Sequence, residues 1–587
     1  MSRAPNAEVP LKVALAAIAS VAIGLPVMLA FNQPPSSTFL NQAFSLAGWG
    51  ALLVTLGGFT TVAGPVSRGP VALQAALVLL LLSAFASSLW SALPWSLSLS
   101  AAALIAAGML SVQIAMRVSQ SGLALPAFRA FCIGLVVAGF LSSIVGVIQV
   151  FAPNLPDGDW VARTYMEGRA VGNMRQPNHL SSLLMWSIVA VVWLGEAGAV
   201  KRWGSSLLAL LFVFVVVLSA SRTGAVSVGL LAIWGLIDKR LSRATRILLI
   251  LAPVAYGVFW LGTSAWADQS HHVFGGESRF TTKGDISSSR WGIWSNTLQL
   301  IRMHPWAGVG FGEFNFAWTL TPFPGRPVAF FDHTHNIVLQ FAVELGIPLA
   351  ALVLGLMLWA LFRAFRGALA GRSNPDDAQA TLRPAAFMMV FLILVHSLLE
   401  YPLWYAYYLL PAAFAFGLCL AEPGEPRALA LVETKRPRAL VVASLVLMMG
   451  GIASVADYYR VVVIFAPGQS TVPLAERIID GRRSVFFAHH ADYAAATTAD
   501  HPADVMPAFL RAPHYLLDAR LLQAWATALN EAGDTDHARY VAQRLREFRN
   551  EQSEAFFAPC SEPPTAEKPL PFQCLQPTRQ FDYEDFR

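Results

Sequence analysis

Four polar residues stand together where a long polar segment of the chain runs into an apolar one. They are Asp332, His333, His335 and Asn336. Imidazole is the side chain best suited to proton transfer near neutral pH. A polar cluster at the start of an apolar helix therefore predicts a reactive site at a membrane boundary, with His333 and His335 as the candidate bases.

Two other interpretations of this cluster are open at this point. The histidines could cap the following helix and bond its free amide groups. Asp332, His333 and His335 could also hold a metal ion, although two histidines spaced i, i+2 on a loop are unspecific. We expect no metal site.

Further polar groups gather near the ends of other apolar runs. An arginine in a short turn, and another near the start of a helix within the long polar segment, are suited to bind phosphate. The candidates are Arg175, Gln176, Asn178, His179, Arg222, Arg290, His396, Glu400 and Tyr401.

The composition indicates the setting. Of 587 residues, 55% are hydrophobic and 13% are charged, whereas a soluble protein carries about a quarter charged residues. Apolar runs of about 20 residues, each long enough to cross a bilayer, recur along the first 456 positions. The sequence thus predicts an all-α polytopic membrane protein. The net charge of +5 does not indicate nucleic acid, because the basic residues lie in short loops between spans.

Thirteen membrane spans are predicted, at 11–31, 39–63, 70–89, 97–116, 126–151, 179–200, 203–220, 222–238, 244–266, 335–365, 382–399, 404–421 and 438–456. They divide the chain into four parts. Spans one to nine fill 1–266, a large loop with an external helix fills 267–334, and spans ten to thirteen fill 335–456. A small helical domain follows at 457–587.

Alternate loops are basic, which predicts a cytoplasmic N-terminus and places the polar clusters and the C-terminal domain outside. Arg222 then lies in a short outward turn, where orientation gives no reason for a positive charge and a functional role is favoured. Two longer outward loops also carry basic residues, which the orientation rule tolerates in long loops. These are Arg163, Arg169 and Arg175 in one loop, and Arg279, Lys283, Arg290, Arg302 and Arg326 in the other. In an oxidising compartment Cys560 and Cys574 could form a disulfide.

Together these features suit one kind of chemistry. Arginines recognise phosphate, and a histidine can take a proton from a hydroxyl group. An amphipathic lipid donor would carry its phosphate at the height of these residues. The sequence therefore predicts transfer of a group from a lipid-linked phosphate to an acceptor that arrives from outside.

Three segments resemble a known family. The first segment resembles the motif of the Wzy/WaaL superfamily of O-antigen polymerases and ligases. It consists of His335 and Asn336, followed after nine residues by Gly346. The family usually has a second glycine three positions later, where this chain has Leu349. GNMRQPNHLSSLL at 172–184 and HSLLEYPLWYAYYLLP at 396–411 resemble PglL-type bacterial protein O-oligosaccharyltransferases, as does the tail that begins at Ala456.

The resemblance implies a GT-C-type glycosyltransferase in the inner membrane of a Gram-negative bacterium. Such enzymes move an oligosaccharide en bloc from undecaprenyl pyrophosphate to Ser or Thr hydroxyls of periplasmic proteins or pilins, without a metal or cofactor. By the resemblance His335 matches the essential histidine, and Arg222 and Arg290 match arginines that hold the donor pyrophosphate. Gln176 and Tyr401 match residues associated with activity. Asn178, His179, His396 and Glu400 stand in the same motifs without an assigned role.

Other functions remain open. Within the superfamily, the acceptor could be lipid A-core, as for an O-antigen ligase, or a growing glycan, as for a polymerase. A transporter or flippase is a more remote alternative. It predicts inverted repeats, helices broken near mid-membrane and charges buried within spans, whereas no clear repeat is visible and the polar residues lie at the outer ends of spans.

Overall fold

The computed structural model of the chain describes residues 8–61, 69–277, 286–323, 325–370, 378–421, 437–563 and 569–587. Within these ranges every regular element is a helix. The predicted all-α polytopic class is confirmed, and the chain is a multi-pass membrane protein.

Each predicted span coincides with a helix. These helices are α1 (Glu8–Met28), α2 (Phe39–Phe59), α3 (Val71–Trp90), α4 (Trp95–Gln120), α5 (Ala124–Phe151), α6 (Pro177–Glu196), α7 (Arg202–Leu218), α8 (Arg222–Ile237), α9 (Arg243–Ser270), α12 (Ile337–Leu369), α13 (Ala378–Ser397), α14 (Ala406–Leu420) and α15 (Arg438–Phe465). Among the described residues, ten helices are long and apolar enough to cross a membrane, while α7, α8 and α14 are shorter. The count of thirteen crossings stays a prediction.

The remaining helices belong to the large loop and the C-terminal segment. The loop contributes α10 (Ile286–Met303) and α11 (Phe314–Leu320). The C-terminal segment contributes α16 (Leu474–Gly481), α17 (Ala488–Thr498), α18 (Ala519–Glu531) and α19 (Thr535–Glu547), besides shorter turns. Helix α10 begins four residues before Arg290, so this arginine lies in the second helical turn, near the start of the helix.

The chain folds into two compact units. Unit A comprises Met1–Ala75, Ala106–Lys283 and Leu356–Val455, and unit B comprises Ala76–Ile105, Gly284–Gly355 and Ala456–Arg587. Each unit gathers stretches that are distant in sequence. Unit B joins the large loop to the C-terminal segment, which the domain boundaries predicted from chain order treat as separate parts.

Unit A is built around α6, whose side chains are buried along almost the whole helix. Aromatic rings fill the space between the helices, as with Phe128 and Trp193, whose ring centroids lie 4.7 Å apart. Small residues allow close helix contacts elsewhere. A Cβ atom on Gly134 would lie 2.8 Å from the carbonyl oxygen of Ala19. Such small-residue contacts are typical of helix packing in membranes.

In unit B the C-terminal helices pack on the loop through Arg326. This side chain is buried, pairs with Glu547 at 3.0 Å and lies over the rings of Trp318 and Phe548. Burial lowers the pKa of Arg326 to about 10, although Glu547 opposes the shift. A buried cation is retained when it is paired and packed against aromatic faces. One of the outward arginines thus holds the fold together.

Of the four cysteines, Cys560 and Cys574 are joined by a disulfide, with their Cα atoms 5.3 Å apart. The guanidinium of Arg546 donates a hydrogen bond to the Sγ of Cys560 at 3.3 Å. Cys132 and Cys419 are free and buried in unit A. The disulfide closes the segment that follows α19, where the chain has few long helices to hold it.

Candidate active site

The N-terminus of α6 presents the first group of predicted residues in unit A. Gln176 caps this helix, since its side-chain oxygen accepts a hydrogen bond from the amide of His179 at 2.9 Å, and Pro177 occupies the first turn. Arg175 has a positive φ of 57° and donates to the carbonyl of Ser37 at 3.1 Å. These contacts fix the loop before α6 and the start of the helix, where Asn178 lies.

Asn178 connects three helices. Its Nδ2 donates to Oε1 of Glu400 at 3.0 Å, and its Oδ1 accepts from the hydroxyl of Ser221 at 2.6 Å. Glu400 and Ser221 are both buried. The two sequence motifs around Asn178 and Glu400, and the short turn before Arg222, are therefore one hydrogen-bonded cluster.

The turn before Arg222 is held from both sides. Ser221 caps α8 by accepting from the amide of Gly224 at 3.0 Å. Arg169 donates to the carbonyls of Ser219 at 3.0 Å and Ala220 at 3.4 Å. Arg169, one of the basic residues of the outward loops, thus stabilises the turn.

Arg222 itself opens helix α8 and is exposed. It borders a cavity of about 360 Å³, whose other lining residues include Ala225, Tyr256 and Trp260. The amide groups at a helix N-terminus and a guanidinium both attract anions. This end of α8 is therefore suited to hold a phosphate group beside an apolar cavity.

His179 and His396 lie inside the cluster rather than on its surface. His179 is 3% exposed, and its ring lies edge-on to that of Tyr405, with centroids 4.6 Å apart. The hydroxyl of Tyr407 lies 3.2 Å from its Nδ1. His396 is fully buried and shares a hydrogen bond of 2.7 Å with Ser182. Both histidines are placed to shape the cluster and not to reach a substrate.

Tyr401 lies at the edge of the same cluster. Its ring is stacked on that of Tyr405, with centroids 6.2 Å apart, and meets Trp404 edge-on at 6.4 Å. The residue is only partly buried. Of the residues in the second motif, Tyr401 is thus better placed than His396 to contact a bound molecule.

In unit B, Asn336 caps helix α12. The side-chain oxygen of Asn336 accepts from the amides of Val338 at 3.0 Å and Leu339 at 3.1 Å. His335 has a positive φ of 54°, which is uncommon for a residue with a Cβ atom. Its ring meets that of Phe331 edge-on at 5.5 Å. The capping interpretation of the motif therefore applies to Asn336. His335 keeps its position through a backbone conformation that is strained for a residue with a side chain.

The loop at His335 is fixed by a buried chain of polar groups. The amide of Thr334 donates to Oε1 of Gln340, whose Nε2 donates to Oε1 of Glu344, both at 2.8 Å. The indole of Trp294 donates to the carbonyl of Thr334 at 2.9 Å. Because Trp294 belongs to α10, this bond brings the helix that carries Arg290 to the residue before His335.

Helix α12 is interrupted at Gly346, where φ is 73° and ψ is 163°. The predicted continuous span is therefore wrong at this point. The run 305–312 fills the break, since Val309 donates to the carbonyl of Val343 and Ile347 donates to that of Pro305, both at 2.8 Å. A Cβ atom on Gly346 would lie 2.3 Å from the carbonyl oxygen of Trp306. Only glycine fits, which gives the motif glycine a physical reason.

His333 pairs with the neighbouring Asp332, with Nδ1 and Oδ1 2.8 Å apart. Burial raises the pKa of Asp332, but the charge and hydrogen bond of His333 outweigh it and lower this pKa to about 2. Among the residues that the structure describes, no group of three or more His, Cys, Asp or Glu side chains could hold a metal ion.

Several residues of these clusters were not singled out by the sequence, namely Ser221, Gln340 and Glu344. A serine three positions before a glycine at the start of a span is a helix-capping signal that was available for Ser221. The pair Gln340 and Glu344, polar groups at i, i+4 in an apolar helix, was a second signal. The predicted residues thus form two clusters, with Gln176, Asn178, Arg222 and Glu400 in unit A and Arg290, His335 and Asn336 in unit B.

Three family models match parts of the chain that carry these clusters. The model described as Protein glycosylation ligase matches residues 170–194, O-Antigen ligase matches 207–354, and Virulence factor membrane-bound polymerase, C-terminal, matches 385–558. The predicted resemblance to PglL-type proteins of the Wzy/WaaL superfamily is confirmed. The PglL-type segment contains the Gln176 cap and Asn178, and the O-antigen ligase segment contains Arg222, Arg290 and His335.

Two relatives from Acinetobacter baylyi support the PglL-type assignment. One is a "General O-oligosaccharyltransferase", 28% identical over 262 residues, and the other a "ComP-specific O-oligosaccharyltransferase", 24% identical over 253 residues. Each match spans 43% of this chain and 44% of the relative.

A solved structure, ArnT from Cupriavidus metallidurans bound to undecaprenyl phosphate, matches 99% of this chain and 88% of that chain at 14% identity. Its TM-score of 0.27 is too low to support an argument about the fold. The GT-C-type architecture implied by the resemblance therefore stays an expectation.

Proposed function

We propose that the chain is a membrane O-oligosaccharyltransferase. It moves an oligosaccharide en bloc from undecaprenyl pyrophosphate to Ser or Thr hydroxyls of periplasmic proteins or pilins. The observation that carries the proposal is the cluster around Asn178, because it joins the segment matched as a protein glycosylation ligase to the turn that presents Arg222. The names of the two relatives support the same reaction.

Arg222 and Arg290 bind the pyrophosphate leaving group. Arg222 opens a helix whose N-terminal amides add to its charge, and Arg290 lies on the helix tied to Thr334 by Trp294. Each guanidinium offers a pair of donors that match phosphate oxygens. Stabilising the pyrophosphate as negative charge develops on it lowers the barrier for breaking the bond to the sugar.

His335 acts on the acceptor. Its imidazole orients the Ser or Thr hydroxyl and accepts its proton, while the oxygen attacks the anomeric carbon from the face opposite the pyrophosphate. One C–O bond forms to the acceptor and one breaks to the donor, whose oxygen keeps the electron pair. The stereochemistry at the anomeric carbon is inverted. The reaction requires no oxidant or reductant.

The proposed location is the inner membrane of a Gram-negative bacterium, with the N-terminus in the cytoplasm and both clusters and the C-terminal domain in the periplasm. The alternation of basic and neutral loops supports this orientation. The disulfide between Cys560 and Cys574 agrees with an oxidising compartment for the C-terminal segment.

A second candidate comes from the same superfamily. The match of 207–354 to O-Antigen ligase favours lipid A-core as the acceptor, and the match of 385–558 favours a polymerase that extends a glycan. An assay with the purified protein in liposomes distinguishes the three possible acceptors. The protein is supplied with a labelled lipid-linked oligosaccharide, and a pilin, lipid A-core and free glycan are offered in parallel. We expect the labelled oligosaccharide to be transferred to the pilin. Label only on lipid A-core or glycan would replace the proposal with the corresponding alternative.

A further inference from the structure

A second, larger cavity lies in unit A at the opposite end of helix α8 from Arg222. It has a volume of about 710 Å³ and lies between the C-terminal ends of α8 and α12 and the beginning of α13. Its walls are apolar and aromatic, with Leu361, Phe365, Phe387 and Phe391 among the lining residues. Several of these side chains are exposed or only partly buried. The cavity therefore offers an apolar surface that an acyl chain could cover.

The rim of this cavity is polar and fixed. Arg240 pairs with Asp238 at 2.7 Å and also donates to the carbonyl of Ala368 at 2.6 Å. The indole of Trp234 donates to the same carboxylate at 3.2 Å. These bonds neutralise Asp238 and join the turn after α8 to the end of α12.

The neutralised carboxylate leaves the rim with a positive charge. Lys239 lines the cavity and is exposed. On α12, Arg366 is exposed one helical turn after the lining residue Phe362 and lies over its ring at 6.0 Å. An apolar cavity with basic residues at one end matches a lipid with an anionic headgroup in both shape and charge.

We propose that this cavity binds an anionic glycerophospholipid. One acyl chain lies against Leu361, Phe387 and Phe391, and the phosphate lies beside Lys239 and Arg366. The bound lipid bridges α8, α12 and α13. This site is separate from the proposed donor site, because α8 has 16 residues and therefore places its two ends about 24 Å apart.

Charge decides between this lipid and the other candidates. A zwitterionic phospholipid would fill the apolar walls equally well but would gain less from the basic rim. A polyprenyl phosphate would also supply the charge, but the proposed site for the polyprenyl donor lies at the opposite end of α8. The proposal commits to the glycerophospholipid, and the other two are outcomes of the test.

The test uses the purified full-length protein in detergent. Native mass spectrometry counts the lipid that remains bound after addition of phosphatidylglycerol, phosphatidylcholine or undecaprenyl phosphate at equal concentration. We expect phosphatidylglycerol to be retained most strongly. The double variant Lys239→Gln/Arg366→Gln should weaken its binding by about tenfold. Leu361→Trp, which fills part of the cavity, should reduce binding of every lipid.

The matched control is Lys201→Gln/Arg202→Gln, which removes two charges from the basic turn before α7, away from the cavity lining. It should bind phosphatidylglycerol as the parent protein does. Ile233→Trp replaces Leu361→Trp if that variant fails to fold. Equal retention of phosphatidylglycerol and phosphatidylcholine, preference for undecaprenyl phosphate, or an unchanged double variant would each overturn the proposal.

Discussion

Glu313 and His514 form a buried pair, with Oε2 and Nδ1 2.7 Å apart and 201 positions between them in the chain. The same interface includes Asn315, whose Oδ1 accepts from the amide of Leu517 at 2.8 Å and whose Nδ2 donates to the carbonyl of Phe331 at 2.7 Å. The C-terminal domain is thus bonded to the segment that leads directly into His335. We interpret this domain as a support for the His335 loop.

Replacing Glu313 should therefore loosen the loop. Glu313→Ala leaves His514 buried without its carboxylate, and breaking a buried pair costs about 3 kcal/mol or more. Glu313→Gln keeps an acceptor and should cost less. Thermal unfolding of the full-length protein and hydrogen exchange across 331–336 measure both effects. The exposed Glu551→Ala serves as the control, and equal exchange in Glu313→Ala and Glu551→Ala would contradict the supporting role.

The role of His335 can be separated from its backbone conformation. Asparagine tolerates a positive φ better than most residues, so His335→Asn should keep the loop folded while it removes the base. We expect transfer activity to fall by about 10² or more, with protein levels unchanged. His333→Asn should stay active, because His333 pairs with Asp332 and is not the proposed base. Near-normal glycosylation by His335→Asn would exclude proton transfer by this residue.

Lysine should not replace Arg222 if this arginine binds phosphate through two parallel N–H groups. Arg222→Lys keeps the charge but loses the bidentate geometry of the guanidinium. We expect the KM for the lipid-linked oligosaccharide to rise by about tenfold. The KM for the acceptor should not change. Kinetics at varied donor and fixed acceptor concentration measure this difference. Full activity with the parental KM would show that a point charge is sufficient.

Glu400 should act as a positioning residue, through Asn178 and Ser221. Glu400→Ala removes the acceptor for Asn178, so the cap of α8 loses its support and donor binding should weaken. Glu400→Gln keeps a carbonyl oxygen at the same place and should recover most of the activity. The pair is compared by donor KM and by activity. Equal losses in both variants would point to a requirement for the negative charge rather than for position.

The C-terminal domain should be sensitive to acid. Burial lowers the pKa of His490 to about 3, below the value of about 6.5 in an unfolded chain. The unfolded chain therefore binds more protons as pH falls from about 6.5 to about 3, and the stability of the fold decreases over that window. At pH 5 the loss from His490 is about 2 kcal/mol.

The variant His490→Phe should reduce this sensitivity, because its ring fits among Tyr458, Phe465 and Tyr515 without binding a proton. Amide hydrogen exchange in α17 at pH 5 and pH 7.5 measures the difference, with intrinsic exchange rates corrected for pH. The exposed His501→Gln is the control and should behave as the parent does. An acid response in His490→Phe as large as in the parent would assign the effect to another group.

Local patterns were enough to predict the helices. Apolar runs bounded by Pro, Gly or polar residues located each of the thirteen predicted spans, because hydropathy depends only on neighbouring residues. The sequence also identified several of the polar residues that form the two clusters. Arg222 stood out because orientation gave no reason for its charge, and His335 because it preceded an apolar run.

What the sequence could not provide was the partner of each polar group. Glu400 meets Asn178 across 222 positions, and no local rule connects them. The break at Gly346 depends on a backbone approach from 305–312, and the hydropathy of α12 is continuous across it. Contacts between distant segments are decided by packing in three dimensions, which neither propensity nor periodicity records.

The interruption at Gly346 also makes the nine-residue interval of the His-Asn-Gly motif a fixed length. The cap at Asn336 and the bonds to 305–312 hold its two ends, and the helical residues between them span about 13 Å. Adding one residue to this interval would turn His335 by about 100° and shift it by about 1.5 Å relative to the break. The length of this interval therefore sets the position of the imidazole. Insertions in the interval should reduce transfer activity far more than substitutions of its apolar residues.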